Sequence, residues 1–205
     1  AASDVYKRQR LKRVTTPWEK GDMLVNMESA RFDGGCQGEF DRQLDQASVD
    51  PGMCHYEKMV SGRYQGEVVY RTLRQGAMDG LFTPGSSQRL LELDGLTGVL
   101  AGICQEEEDR EMVYTIIDRL VERSARLVCA NLAGILLQTG AGMRIHRPAC
   151  IVAEGSTFYK GHLFRGKLER LCAEYITGRL GRYYAFRQVA DANLIGTAAA
   201  ALLNP

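Results

Sequence analysis

The sequence lacks the patterns that announce several common chemistries. Its six cysteines, Cys36, Cys54, Cys104, Cys129, Cys150 and Cys172, are scattered. No two are spaced C-x-x-C, so paired zinc-ligand spacing is absent. The three histidines, His55, His146 and His162, stand alone, with neither H-x-E nor H-E-x-x-H, which leaves a metal centre without support. No G-x-S-x-G elbow offers a serine nucleophile. No sign of charge dominates: 26 Lys and Arg against 25 Asp and Glu give a net charge of +1. That balance gives no electrostatic reason to expect nucleic acid or an anionic membrane as a partner. No run of about 18 apolar residues occurs, so no bilayer-spanning segment is expected. Without an apolar stretch near the N-terminus, no secretory signal is expected either. The thiols are therefore expected to be reduced, in a cytoplasmic protein, most of them as small core residues. Trp18, the only tryptophan, is expected to pack near the first strand.

What is present is globular. Hydrophobic residues make up 45% and charged residues 25% of 205 positions, enough for a sizeable core without disulfide or metal staples. Ala1 to Gln9 is polar, basic and without apolar periodicity; it resembles a translated sequencing adaptor or a disordered tail and is set apart from a domain over 10–205.

Along the chain, Met23 to Met27 reads as a buried strand, and Glu39 to Ser48 has helical spacing at Phe40, Leu44 and Ala47. Asp50-Pro51-Gly52 is a turn. Tyr56 to Met78 reads as one long helix, with Met59, Val60, Tyr64, Val68 and Leu73 near one stripe. Glycines at 62 and 66 on one face suggest a close approach to the backbone. Thr83 to Ser87 is expected as a loop, with short helices near Ser87 to Leu93 and Gly95 to Ile103. Asp109 to Leu137 is the strongest helical signal; acidic residues 106 to 109 suit its positive end and Gly140-Ala141-Gly142 terminates it. Cys150 to Ala153 reads as a second strand, Leu163 to Thr177 as a helix, Tyr183 to Val189 as a third strand and Asn193 to Leu203 as a closing helix. Strands alternating with helices argue an α/β fold with a largely parallel sheet.

Two acidic residues stand where strands or turns lead into helices. Glu28 ends the first strand and Glu57 opens the long helix after a Pro-Gly turn. In α/β folds ligands gather at the carboxyl ends of strands, and an ionised carboxylate accepts hydrogen bonds from sugar hydroxyls. Glu57 also suits a plain helix-start charge. Glu154-Gly155-Ser156-Thr157 is a turn able to face a phosphate or an adenosine, since glycine permits close approach and the hydroxyls donate. Asp191 to Thr197 is a second such turn, or a helix cap. Gly161 to Leu168 nearly spells a phosphate-binding P-loop, but Leu168 replaces the magnesium-binding hydroxyl and the spacing is helical.

Several of these stretches resemble the C-terminal part of the hexokinase family. Val25-Asn26-Met27-Glu28-Ser29-Ala30-Arg31-Phe32 is similar to the family's N-T-E-W-G-x-F strand. Tyr56 to Glu67 is similar to its Y-E-K-x-[IV]-[SG]-G-x-Y-x-G-E helix. Val121 to Ala125 resembles V-S-R-R-A, Glu154 to Lys160 resembles D-G-[ST]-x-Y-K, and Asp191 to Ala200 is a weak echo of D-G-S-G-x-G-A-A. The matches run in family order from about residue 22 to 203.

The resemblance implies a partial RNase H-like, actin-type ATPase domain with a three-stranded remnant of the sheet. It implies transfer of the ATP γ-phosphoryl group, with Mg²⁺, to the 6-hydroxyl of glucose or a related hexose. By matching position Glu28 and Glu57 would bind the sugar. Arg63, Thr97, Gly155, Ser156 and Gly196 would line the nucleotide side. The chain departs from the family at Glu154 for Asp, at Ser29-Ala30 for W-G, and in the final turn, where only Gly196 remains. The family's D-x-G-G-T-N phosphate loop and catalytic aspartate, which belong to a small domain preceding this segment, do not occur. A fragment inactive alone, marginally stable and lacking its small-domain partner is therefore expected. The alternatives are a non-catalytic sugar-binding or regulatory relative, and an unrelated α/β domain.

Overall fold

The computed structural model describes residues 29–95, 102–161, 163–191 and 194–198. The strand expected at 23–27, Trp18 and most of the helix expected at 95–103 lie outside the described residues.

A 3-10 turn at Ser29–Arg31 leads through an irregular stretch to α1 (Glu39–Ala47). The Asp41 carboxylate accepts the Gly38 N–H at 2.8 Å and so caps α1. Asp50 to Gly52 turns as expected, with the Met53 N–H donating to the Asp50 carbonyl at 3.2 Å.

The single helix expected over 56–78 is in fact two, α2 (His55–Val60) and α3 (Gly62–Met78). Ser61 between them is extended (φ −72°, ψ 135°), and its hydroxyl accepts the Arg63 N–H at 3.3 Å. The apolar stripe continues across the break, so periodicity alone runs through it; the Ser-Gly pair, a cap and a poor helix former, is what marks it. The expected Thr83–Ser87 loop is the start of α4 (Pro84–Glu92). Thr83 caps it and Pro84 occupies the first turn, where a missing N–H costs nothing.

α5 (Glu107–Thr139) spans 33 residues, with acid in its first turn and Gly140 closing it at φ 63°. It is the spine of the molecule. Its N-terminal half packs with α3 and α4 around Leu73, Phe82, Leu90 and Val113. Its C-terminal half packs with the remaining elements around Val128, Leu136, Phe158, Leu168 and Ile176.

Strand β1 (Ala149–Val152) pairs in parallel with β2 (Tyr184–Arg187), with Ala149 opposite Tyr184 and Val152 opposite Arg187. Between them run α6 (Ser156–Tyr159) and α7 (Phe164–Leu171), the latter continuing as a π-helix over Cys172–Arg179. The fold is α/β, and two of the three expected strands fall among the described residues. The closing helix is described over 194–198 only.

The cysteines divide evenly. Cys104, Cys129 and Cys172 are buried as expected, while Cys36 and Cys150 are exposed and Cys54 is intermediate. Cys150 faces outward because alternate residues of β1 do. Within the P-loop look-alike, Lys167 sits on α7 and pairs with Asp118 of α5 at 2.8 Å, a structural role. Among the described residues no helix is long and apolar enough to cross a membrane.

Candidate functional site

The site begins at the turn before α2. Lys58 is 1% exposed, and its ammonium is surrounded by the Asp45 carboxylate at 2.7 Å, the Asp50 carbonyl at 2.8 Å and the Asp50 carboxylate at 3.1 Å. Asp45 also accepts the Gly52 N–H at 2.9 Å. His55 lies between Asp33 and Asp45, at 3.5 and 3.6 Å. This knot binds the end of α1, the Pro-Gly turn and the start of α2 together. On the other side of Glu57, buried Tyr56 donates its hydroxyl proton to the Leu127 carbonyl of α5 at 3.3 Å. Burial pushes the Tyr56 phenol up to about 12, so it stays a neutral donor. Ser124 of α5 donates to the Met59 carbonyl at 2.9 Å, and Arg123 grips buried Asp41 of α1 through bonds of 2.6 and 2.9 Å.

Glu57 thus stands between two anchored neighbours, half-buried in the first turn of α2. Its direction is set by the helix and by the contacts of Tyr56 and Lys58.

The start of α3 meets the turn after β1. A Cβ added at Gly62 would stand 2.6 Å from Thr157 Oγ1, closer than real Cβ contacts, so any side chain here would displace the Thr157 hydroxyl from the place it holds against α3. This is the close approach expected from the glycine pair. At Gly66 the space is open and no such approach exists. The turn itself depends on Gly155, whose φ of +101° suits glycine alone, with open space where a side chain would be. Gly155 and Ser156 are exposed, as is Arg63, whose guanidinium lies 5.4 Å from the Tyr64 ring.

The structure therefore brings the helix pair carrying Glu57 and Arg63 against the Gly155-Ser156-Thr157 turn. Gly196 lies in the helical stretch 194–198 rather than in an open glycine turn. Glu28 and Thr97 lie outside the described residues. Ser29, which follows Glu28 in sequence, is buried and bonded to Asn131 of α5. Sequence reasoning assigned no role to Lys58 or Asn131, and expected Thr157 only as a hydroxyl of the phosphate-facing turn. Lys58 left one signal, a charged residue inside the apolar stripe of α2.

Among the described residues no three His, Cys, Asp or Glu side chains gather as a metal-binding group. An open groove of about 330 Å³ between α1 and α3 is lined by Phe40, Gln43, Tyr70, Arg71, Arg74, Gln75 and Met78. It lies toward the far end of α3 from Gly62 and includes none of the expected ligand residues.

The sequence profile of the hexokinase family matches residues 2–99 and 86–203. The chain belongs to the hexokinase family. Among curated hexokinases, Hexokinase-7 of Oryza sativa subsp. japonica is 29% identical over 207 residues, covering 88% of this chain and 45% of the rice protein. Human Hexokinase HKDC1 is 31% identical over 170 residues, covering 70% of this chain and 18% of that protein. A hexokinase crystal structure superposes with a TM-score of 0.58 at 17% identity, covering 81% of this chain and 41% of the other. A Schistosoma mansoni hexokinase complexed with glucose superposes at 0.53 with 22% identity, covering 74% and 38%. These superpositions place the fold with that of hexokinases. The chain spans less than half the length of the curated hexokinases it matches.

Proposed function

We propose that this chain forms the sugar-binding and nucleotide-facing wall of an ATP-dependent hexose kinase, built on the RNase H-like, actin-type ATPase fold. Glu57 and Glu28 are the sugar ligands. An ionised carboxylate has only acceptor sites, which suits it to the hydroxyl donors of glucose or a related hexose. The observation that carries this reading is the contact of Gly62 with Thr157, which joins the helix pair holding Glu57 to the Gly155 turn. A sugar ligand and a nucleotide turn on one surface are what phosphoryl transfer requires, because that reaction depends chiefly on positioning and charge stabilisation.

The residues at the turn fit ATP. Gly155 leaves the backbone open to a close ligand, and Ser156 and Arg63 are exposed for donation to phosphate oxygens. Thr97 and Gly196 complete that side in this proposal. Bound ATP with Mg²⁺ supplies the phosphoryl group and the cation that offsets its charge. The base for the attacking hydroxyl and the phosphate loop belong to the small domain of the longer protein, so the 205-residue chain alone binds hexose without enzyme-like turnover.

Calorimetry of glucose with the chain and its Glu57→Gln and Glu28→Gln variants tests this. Each substitution replaces a charged acceptor and is expected to weaken binding by roughly tenfold or more. Binding unchanged in both variants, or absent from the parent chain, overturns the assignment. Enzyme-like phosphorylation of glucose by the chain alone overturns its inactivity. A second reading, a non-catalytic sugar-binding relative, draws support from Gly196 lying within a helix and from Glu154 replacing the family aspartate. It predicts glucose binding with no ATP binding by the longer protein.

A further inference from the structure

We propose that the groove between α1 and α3 is a binding site for a small aryl anion, one aromatic ring carrying a phosphate or a carboxylate. The groove encloses about 330 Å³. Ligand pockets run from about 300 to 1,000 Å³, so its occupant is a small one. The charged residues that line it are Arg71 and Arg74 of α3, with no acidic residue among them. Each wall brings a ring, Phe40 from α1 and Tyr70 from α3. None of these residues takes part in the hexose and nucleotide assignments above, so the proposal stands apart from them.

The charges decide what the groove attracts. Arg74 is held in place: its Nη1 donates to the Leu91 carbonyl at the C-terminal end of α4 at 2.6 Å, and to the Tyr70 hydroxyl at 3.3 Å. Tyr70 in turn donates to the Leu93 carbonyl at 2.7 Å. These acceptors are neutral, and among the described residues no carboxylate forms an ion pair with Arg74. A helix C-terminus carries about half a negative charge, so α4 offsets roughly half of the guanidinium's charge. Arg71 pairs with Glu67 at 3.5 Å, but Glu67 is 47% exposed, and water weakens such a pair. The two guanidiniums stand three residues apart on one helix, where like charges repel. An anion between them relieves that repulsion and accepts charge-assisted hydrogen bonds. The Tyr70 hydroxyl is spent on Leu93, which leaves its ring, that of Phe40 and the exposed Met78 side chain as the apolar part of the groove. The Arg74 guanidinium lies 5.8 Å from the Tyr70 ring centroid, so the fixed cation and a ring wall are neighbours.

Titration of the 205-residue chain with phenyl phosphate, benzoate, inorganic phosphate and phenol, followed by the backbone amide NMR shifts of α1 and α3, tests the site. Phenyl phosphate or benzoate is expected to shift those amides to saturation with a dissociation constant of about 1 mM or lower. Inorganic phosphate and phenol, each carrying half of the recognised group, are expected to bind at least roughly tenfold more weakly. The tighter of the two aryl anions identifies the anionic group. Arg71→Gln and Phe40→Ala are each expected to weaken that ligand by about tenfold. Arg110→Gln, at an exposed arginine of α5 outside the groove, is expected to leave it unchanged. Circular dichroism checks that each variant is folded; should Phe40→Ala unfold, Arg71→Gln decides alone, since it changes a surface side chain of α3. No saturation by either aryl anion up to about 20 mM, shifts outside the groove residues, phosphate alone binding as tightly, or an equal loss in Arg110→Gln overturns the proposal.

Discussion

At Lys58 a charge is kept inside the protein because three oxygens surround it. Burial disfavours the ammonium, but hydrogen bonds to Asp45 and Asp50 outweigh that cost and raise its pKa. For Asp45 burial again opposes the charge, and Lys58, the Gly52 N–H and His55 reverse it, holding the carboxyl below the ordinary range. Removing the cation leaves Asp45 half-buried with only the Gly52 N–H and His55 beside it. Lys58→Met is therefore expected to lower unfolding free energy by ~3 kcal/mol in urea denaturation, toward the lower end for a broken buried pair because Asp50 reaches solvent. Equal stability in the variant would show that the knot does not hold α2. The chemistry of this residue was partly legible: a lysine within the Tyr56–Val60 run is out of place on an apolar face. Its partners were not, because Asp45 and Asp50 lie 13 and 8 positions away across a turn, and only folding sets the distance.

Among the elements, the break between α2 and α3 does most to shape the site. Ser61 ends one helix and caps the next, which turns the Gly62 backbone toward Thr157. Gly62 and Gly66 look alike in sequence, one helical turn apart, yet they have opposite surroundings. Gly62→Ala forces its Cβ against Thr157 Oγ1 and is expected to destabilise the chain. Gly66→Ala meets open space on a regular helix and is expected to stabilise by about 0.5–1 kcal/mol. Thermal melts of the two variants check both signs, and a gain in both would remove the case for a close approach at Gly62. The boundaries of α5 were readable to within about two residues, because a long 3.6-residue period, an acidic start and a terminal glycine all agree there. The starts of α4 and α3 were missed for a shared reason: their signals are single capping residues, Thr83 and Ser61, set against loop-like composition in one case and unbroken periodicity in the other.

Across the whole molecule, ion pairs join elements remote in sequence, and their pH response has one sign. Burial opposes ionisation at Asp109 and Glu122, but bonds from Ser86 and Thr83 to Asp109, and from Arg170 and Lys167 to Glu122, hold both carboxyls below their ordinary values, as at Asp45. A group whose folded pKa is depressed binds fewer protons folded than unfolded. Its contribution is therefore complete above the unfolded carboxylate pKa of about 4 and is lost as the pH falls through the lowered values. Urea midpoints are expected to be flat from pH 7 to about 5 and to fall steeply below about 4. The fall should be shallower in Glu122→Gln, which no longer carries one of the depressed groups. A midpoint that rises on acidification would contradict this sign.

Family, fold class and most helices were legible from local order alone: periodicity, turn residues and short motifs depend on neighbours a few positions apart, and a chain displays those before it folds. Which residues face one another was not legible. The junction of Gly62 with Thr157 joins positions 95 apart, and the Ser29–Asn131 bond joins positions 102 apart. Such pairs arise from packing two cores along one long helix, a global solution in which hydrophobic burial chooses the partners and the polar groups then satisfy whichever neighbours that packing supplies.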